Sequence, residues 1–289
     1  MSEQAIKKIL ITGANGFIGG SLMRYYQNQG QDVVGVDLVS NGDDIVEGDI
    51  SQPNSISQLL SESDVIIHTA ALVSNAMQDS DMWRVNVLAT RNLIQAAKEH
   101  KIRRFVQISS IVAYGNSAKG EIDENHPVHA DGGSYVLTKL ASEHVVLSEQ
   151  ANDDIEVVII RPGDAYGPGS RPWIIAPLEA IAKNQFMLPE KGEGFFRPIY
   201  IDDLVRGIAM ASRHPDAAGE IFNLSCEGYM FTKDYFTPHY QWLGKKGPMA
   251  VSTKLALRIS EMASKVADLM GNLNEASPST VKQLSTKSW

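Results

Sequence analysis

Five residues of strand character, Lys8-Ile-Leu-Ile-Thr12, run without a break into Gly13-Ala-Asn-Gly16-Phe17-Ile18-Gly19 and on into a helix-period segment, residues 17–27. A chain that turns from a strand straight into a helix needs glycine there, because a Cβ would block φ above zero and hold neighbouring backbone away. Further apolar runs of strand length lie at residues 33–37, 65–68, 105–109 and 157–161, rich in Val and Ile without polar alternation. Strands of that kind are buried on both faces, as in a parallel sheet. Helix-period segments separate them, notably 82–100 and 134–150. This alternation predicts an α/β, Rossmann-type doubly wound parallel sheet with helices on both faces.

Beyond Arg161 the pattern changes. Pro162, Gly163, Gly167, Pro168, Gly169 and Pro172 punctuate a loop-rich stretch followed by shorter elements. The expected division is a nucleotide-binding core over 1–161 and, over 162–289, a small C-terminal substrate lobe with some segments returning to the core. No flexible linker separates the two. Residues 252–270 carry an apolar stripe, Leu255, Ile259, Met262, Val266 and Leu269, at helical spacing. Its leading reading is a helix packed on the lobe, with a lid or a membrane-touching surface as alternatives.

Composition narrows the function classes. A hydrophobic fraction of 43% in 289 residues suits a globular protein with a sizeable core. The net charge of −8 argues against a nucleic-acid partner, since phosphate neutralisation needs a basic surface. Cys226 is alone, so no internal disulfide forms, and the histidines show no metal-ligand spacing. Residues 1–8 hold no signal-like apolar stretch, and no run of about 18 apolar residues exists to form a membrane span. A cytoplasmic protein is expected.

The glycine turn can do more than shape the fold. The start of the following helix offers free N–H groups and a positive dipole end to a pyrophosphate. Asp37 ends the second strand-like run, near where an acidic side chain meets the adenosine ribose hydroxyls in dinucleotide sites. A carboxylate there would repel a 2′-phosphate, which selects NAD over NADP. The plainer reading is that Asp37 only closes a strand.

Tyr135 and Lys139 stand four apart on a helix-period segment and so share a face. A nearby ammonium stabilises a phenolate and lowers its pKa, which would fit the tyrosine for acid–base work on a substrate hydroxyl. His68 sits at a strand end and reads as a satisfied buried histidine.

Taken with Gly48-Asp49-Ile50, His68-Thr-Ala70-Ala71, Asn86, Ile108-Ser-Ser110, Tyr114-Gly115, Arg161-Pro162-Gly-Asp164-Ala-Tyr-Gly-Pro168 and Tyr200-Ile-Asp-Asp203, the chain resembles an extended short-chain dehydrogenase/reductase of the NAD-dependent epimerase/dehydratase group. The resemblance spans about 220 residues of the chain. It implies an NAD-dependent enzyme in which Ser110 bonds the reacting oxygen, Tyr135 is the acid/base, and Lys139 holds the nicotinamide ribose. It also implies that the Gly13–Gly19 turn cradles the cofactor, that Asp49 and Ile50 meet the adenine, that Ala70 and Ala71 line it, and that Pro162 lies near the nicotinamide. Asn86 would steady the framework, although Asn86 and Ser109 also read as purely structural.

Departures from the group's pattern bear on the small-molecule substrate. Nucleotide-sugar enzymes of the group commonly carry Asn where this chain has Asp164, and their phosphate-binding Arg position holds Phe196, with Arg197 beside it. Ile111-Val112 replaces the Asp-Glu pair of its dehydratases. Segments 71–74 and 172–177 look similar to the 3β-hydroxysteroid dehydrogenase branch. A dehydrogenase acting on a secondary alcohol or ketone is favoured, a nucleotide-sugar epimerase follows, and a non-catalytic NAD-sensing regulator is third. The resemblance further implies a homodimer through helices 82–100 and 134–150, whose apolar positions could equally cover the sheet. Residues 276–284 resemble the stretch before a closing helix and strand, so a chain shorter than its relatives by that element is expected.

Overall fold

The structure is a computed structural model that describes residues 6–73, 78–151, 154–269 and 277–288. Seven parallel strands form the central sheet. They are β1 (Lys8–Thr12), β2 (Asp32–Asp37), β3 (Ile45–Glu47), β4 (Val65–His68), β5 (Arg104–Ile108), and the strands Glu156–Pro162 and Ile221–Leu224. Their spatial order is Ile221–Leu224, Glu156–Pro162, β5, β4, β1, β2, β3. The order reverses between β1 and β4, and a crevice opens at the carboxyl ends of the strands at such a switch point.

Unbroken apolar strands make both cores. Ile9, Ile11, Val65, Ile67, Val106, Val158 and Ile160 enter one cluster, while the intervening Leu10, Ile66, Phe105, Val157 and Ile159 enter the other. Successive side chains point to opposite faces, so each strand feeds both layers. The helix α1 (Phe17–Asn28) and Ile201–Arg213 pack on the first face. On the second lies a continuous helix over 79–99, π-helical at Arg84–Ala89. The helix Ser134–Gln150 lies beside it.

Two strands of this sheet lie outside the five runs read from the sequence, the second of them in the part of the chain expected to return segments to the core. β3 is a three-residue edge strand, and Ile221–Leu224 brings the second half of the chain back into the sheet beside Glu156–Pro162. The remaining C-terminal segments form a lobe around Leu188, Phe196, Tyr235 and Phe236.

The helix Thr253–Leu269 forms and packs on the protein, but not through the apolar stripe. Leu255, Ile259 and Met262 are 46%, 39% and 70% exposed, whereas Ala256 and Ser260 are buried. Small residues let the helix approach its neighbour closely, so the apolar stripe turns outward. The side chains of Val266 and Leu269 lie outside what is described, as do Ser74, Ala276 and Trp289 from the segments singled out above. Among the described residues no helix is long and apolar enough to cross a membrane.

Candidate active site and cofactor cradle

The glycine turn closes β1 at the switch point. Gly13 has φ +68°, and a Cβ there would lie 2.7 Å from the Ala70 Cα. A Cβ on Gly19 would lie 2.2 Å from the Gly13 carbonyl oxygen. Backbone therefore approaches backbone, and α1 begins at Phe17 with its first-turn N–H groups, those of Phe17, Ile18 and Gly19, lacking intrahelical acceptors. Gly16 holds the N-cap position.

Asp37 is tied to this turn. Its carboxylate accepts from the Asn15 N–H at 2.9 Å and from the Leu38 N–H at 2.8 Å. About four lone-pair sites belong to a carboxylate, so acceptor capacity remains for sugar hydroxyls. Gly48 N–H donates to the Asp37 carbonyl at 2.8 Å, which brings Asp49 and Ile50 to the same rim. The Asp49 carboxylate accepts from Ser51 N–H at 2.8 Å, and Ile50 is buried in the core. A cradle too tight for side chains, a helix start and an acidic rim fit an adenine dinucleotide.

A polar relay crosses from this cradle to the second core layer. The Ala70 N–H donates to Thr12 Oγ1 at 3.4 Å, and Thr12 Oγ1 is 2.7 Å from His68 Nδ1. His68 Nε2 is 2.9 Å from Thr90 Oγ1, which donates to the Asn86 carbonyl at 2.9 Å. With Thr90 already donating onward, the network assigns the proton to His68 Nε2 and leaves Nδ1 to accept from Thr12. Burial, reinforced by the Lys139 charge, pushes the imidazole down to about 3. His68 is thus neutral and fully partnered. The Asn86 side chain holds the segment after β4 by accepting from Leu72 N–H at 2.7 Å and donating to Leu72 O at 3.0 Å. It also donates to Thr138 Oγ1 at 3.1 Å, on the helix that carries Tyr135.

The candidate reacting set lies at the ends of β5 and Glu156–Pro162. Ser110, just past β5, lies beside the half-buried Tyr135. Lys139 shares Tyr135's helix face, but its Nζ donates to Ile108 O at 2.6 Å. The structure departs here from the expected tuning. Burial pushes the Tyr135 phenol up to about 12, with the Ser110 hydroxyl opposing. Burial also brings Lys139 down to about 8, with Glu143 opposing. The ammonium sits on a carbonyl instead of stabilising a phenolate.

Glu143 is a further site residue, legible only as the next position on the Tyr135–Lys139 face. Its carboxylate accepts from Ser109 Oγ at 2.5 Å, from Arg161 Nε at 3.0 Å and from Arg161 Nη2 at 2.6 Å. Arg161 Nη1 donates to the Tyr114 hydroxyl at 2.8 Å, which donates to Asn223 Oδ1 at 2.8 Å. One buried carboxylate therefore joins the helix of Tyr135 to the residue preceding Ser110 and to the strand that ends in Pro162. Glu143→Gln keeps the shape but leaves the buried Arg161 charge without its counter-ion, which costs about 3–5 kcal/mol. Urea unfolding is expected to show a loss of about that size.

Asp164 points inward. It accepts from the Arg197 N–H at 3.0 Å and faces Arg197 Nε at 3.6 Å, and Arg197 Nη1 donates to Ser288 Oγ at 3.2 Å. Burial pushes the Asp164 carboxyl up, with the Arg197 charge opposing. A separate cavity of about 770 Å³, lined by Lys98, Arg103, Glu156 and Gly219 among others, lies at the opposite, amino-terminal end of the strands and touches none of these groups. Among the described residues no cluster of three or more His, Cys, Asp and Glu is placed to hold a metal ion.

Comparison with known proteins matches this arrangement to one family. A model described as the NAD dependent epimerase/dehydratase family matches residues 9–225. A UDP-glucose 4-epimerase of Vibrio cholerae is 30% identical over 233 residues, covering 76% of this chain and 70% of that protein. A 3 beta-hydroxysteroid dehydrogenase/Delta 5-->4-isomerase of Mycobacterium tuberculosis is 26% identical over 263 residues, covering 83% and 70%. Among solved structures, MoeE5 in complex with UDP-glucose and NAD superposes with a TM-score of 0.75 at 26% identity, covering 85% of this chain and 84% of that one.

Proposed function

The chain belongs to the NAD-dependent epimerase/dehydratase family and is an NAD-dependent enzyme, and from that premise we propose that it interconverts a secondary alcohol and its ketone on a bulky, weakly charged molecule. Ser110 hydrogen-bonds the reacting oxygen and Tyr135 exchanges its proton. The cradle at Gly13, Gly16, Phe17, Ile18 and Gly19, with Asp37, Asp49, Ile50, Ala70, Ala71 and Pro162, holds the dinucleotide. Bound NAD supplies the hydride acceptor, or NADH the donor. At neutral pH the Tyr135 phenol is protonated. It is therefore poised to give its proton to an oxygen that gains charge as a carbonyl is reduced. Asn86 positions the segment after β4 and the catalytic helix together.

The observation that carries the substrate reading is the buried Asp164–Arg197 pair. A diphosphate calls for an accessible cation, and this guanidinium is buried, faces Asp164 at 3.6 Å as an ion pair and donates to Ser288, while its Nε makes no hydrogen bond among the described residues. The test is reduced-nicotinamide absorbance with NAD and a panel of secondary alcohols that includes 3β-hydroxysteroids. Net NADH formation is the expected result. The second reading, a nucleotide-sugar epimerase, is favoured by the likeness to the Vibrio cholerae protein and to MoeE5. Interconverted nucleotide sugars without net NADH would establish it instead.

Two further expectations belong to this reading. Asp37→Ala removes a charged acceptor and is expected to weaken NAD binding roughly 10- to 100-fold by titration calorimetry. A homodimer would form through the helices over 79–99 and Ser134–Gln150. Val87, Leu93, Ile94, Ala97 and Val146 face the protein interior, leaving Trp83 and Leu88 as the exposed apolar side chains of the first helix. Light scattering that gives 31.6 kDa would exclude the dimer.

A further inference from the structure

The outward stripe of the helix Thr253–Leu269 has a second character. Lys254, Arg258 and Lys265 lie at helical spacing along a row immediately beside Leu255, Ile259 and Met262, all six exposed, with Glu261 between Arg258 and Lys265 on the same row. The opposite side, with Ala256 and Ser260, is packed against the protein. Residues 245–269 contain five Lys or Arg and two acids, Glu261 and Asp268, in a chain whose net charge is −8. One of the five, Lys245, is used internally, donating to Ile181 O and Ala182 O at 2.8 and 2.7 Å. A basic, apolar-faced segment on an otherwise acidic protein is matched to a surface that is anionic and apolar at once.

We propose that this helix docks the protein on the surface of an anionic lipid bilayer. The helix lies in the interfacial plane, with Leu255, Ile259 and Met262 entering the headgroup–acyl boundary and the cationic row meeting lipid phosphates. An amphipathic helix with Lys and Arg along its polar side binds membranes in this way, through buried apolar area plus attraction to anionic lipids. Seventeen helical residues span about 25 Å, enough for a flat contact of several lipids. The remaining acidic surface is repelled by the same bilayer, which orients the molecule with this helix down. The assignment does not depend on which substrate the active site takes.

The test is co-sedimentation of the full chain with phosphatidylcholine vesicles, with and without phosphatidylglycerol. Binding is expected only with phosphatidylglycerol, and it should weaken as salt rises. Each cation near an anionic surface multiplies partitioning about fivefold, so K254Q/R258Q/K265Q should lower it roughly 100-fold. Ile259→Asp with Met262→Asp should abolish it. Both sets of changes lie on exposed positions and should leave the thermal midpoint and NAD affinity unchanged. Absence of binding to the anionic vesicles, or equal binding by wild type and the double Asp variant, overturns the proposal. Vesicle-free light scattering in which the double Asp variant alone loses self-association also overturns it, by making the stripe a contact between copies of this chain.

Discussion

Tyr135→Phe is expected to lower kcat about 10²- to 10⁴-fold, the range that a positioned acid or base contributes, with NAD affinity and fold retained. The substitution removes one oxygen, which lies beside the Ser110 hydroxyl. The rate loss should appear in kcat and kcat/KM alike, because the proton moves only in the reacting state. The pH profile carries a second expectation. Lys139 has been brought down to about 8 and Tyr135 pushed up to about 12. Because the ammonium rests on the Ile108 carbonyl and the phenol keeps its proton, ketone reduction should hold its rate as pH rises through about 8, and a fall there would give Lys139 a direct part in the reaction. A Phe variant with wild-type kcat would remove Tyr135 from the chemistry and return the regulatory reading.

The second large effect is on stability in acid. The folded protein holds His68 neutral, with a pKa near 3 against an ordinary 6.5. Above pH 6.5 neither state takes up the proton and this residue adds no pH dependence. As pH falls from 6.5 towards 3, the unfolded chain binds a proton that the folded protein refuses, so stability is lost across that window. A shift of this size corresponds to a loss on the order of 4–5 kcal/mol once pH is below both values. Denaturant unfolding from pH 7 to pH 4 should follow this decline. His68→Gln should start less stable at pH 7, having weaker bonds to Thr12 and Thr90, and fall less steeply. Parallel pH curves for the two proteins would show that acid lability arises elsewhere.

The strands and the glycine turn were legible because their signals are local. Val- and Ile-rich runs can be placed one at a time, and Gly13, Gly16 and Gly19 announce a turn that only glycine permits. Features settled by distant partners were harder. Periodicity showed that Thr253–Leu269 has an apolar side, but not that Ala256 and Ser260 would be the pair turned inward. Spacing put Tyr135 and Lys139 on one face, yet the direction of Nζ depends on the Ile108 carbonyl 31 residues away. Asp164 is visible as an odd residue in its segment. That it buries itself against Arg197 follows from the parallel pairing of Asp164–Tyr166 with Pro198–Tyr200. Glu143 was within reach, eight residues past Tyr135 on the same helix face, but its partners Ser109 and Arg161 come from two other elements.

The Glu143–Arg161 pair also shapes how the sequence can drift. Removing one member of such a buried pair strands a charge and costs about 3–5 kcal/mol, whereas replacing both with well-packed apolar groups is often neutral. The site thus has a valley between two tolerated states. Single changes at Glu143 or Arg161 fall into it, and simultaneous ones step across. Variant libraries that sample these positions one at a time would score both as immutable. Libraries that vary Glu143, Arg161, Ser109 and Tyr114 together should recover active combinations, so the apparent rigidity of this corner is a property of mutational order.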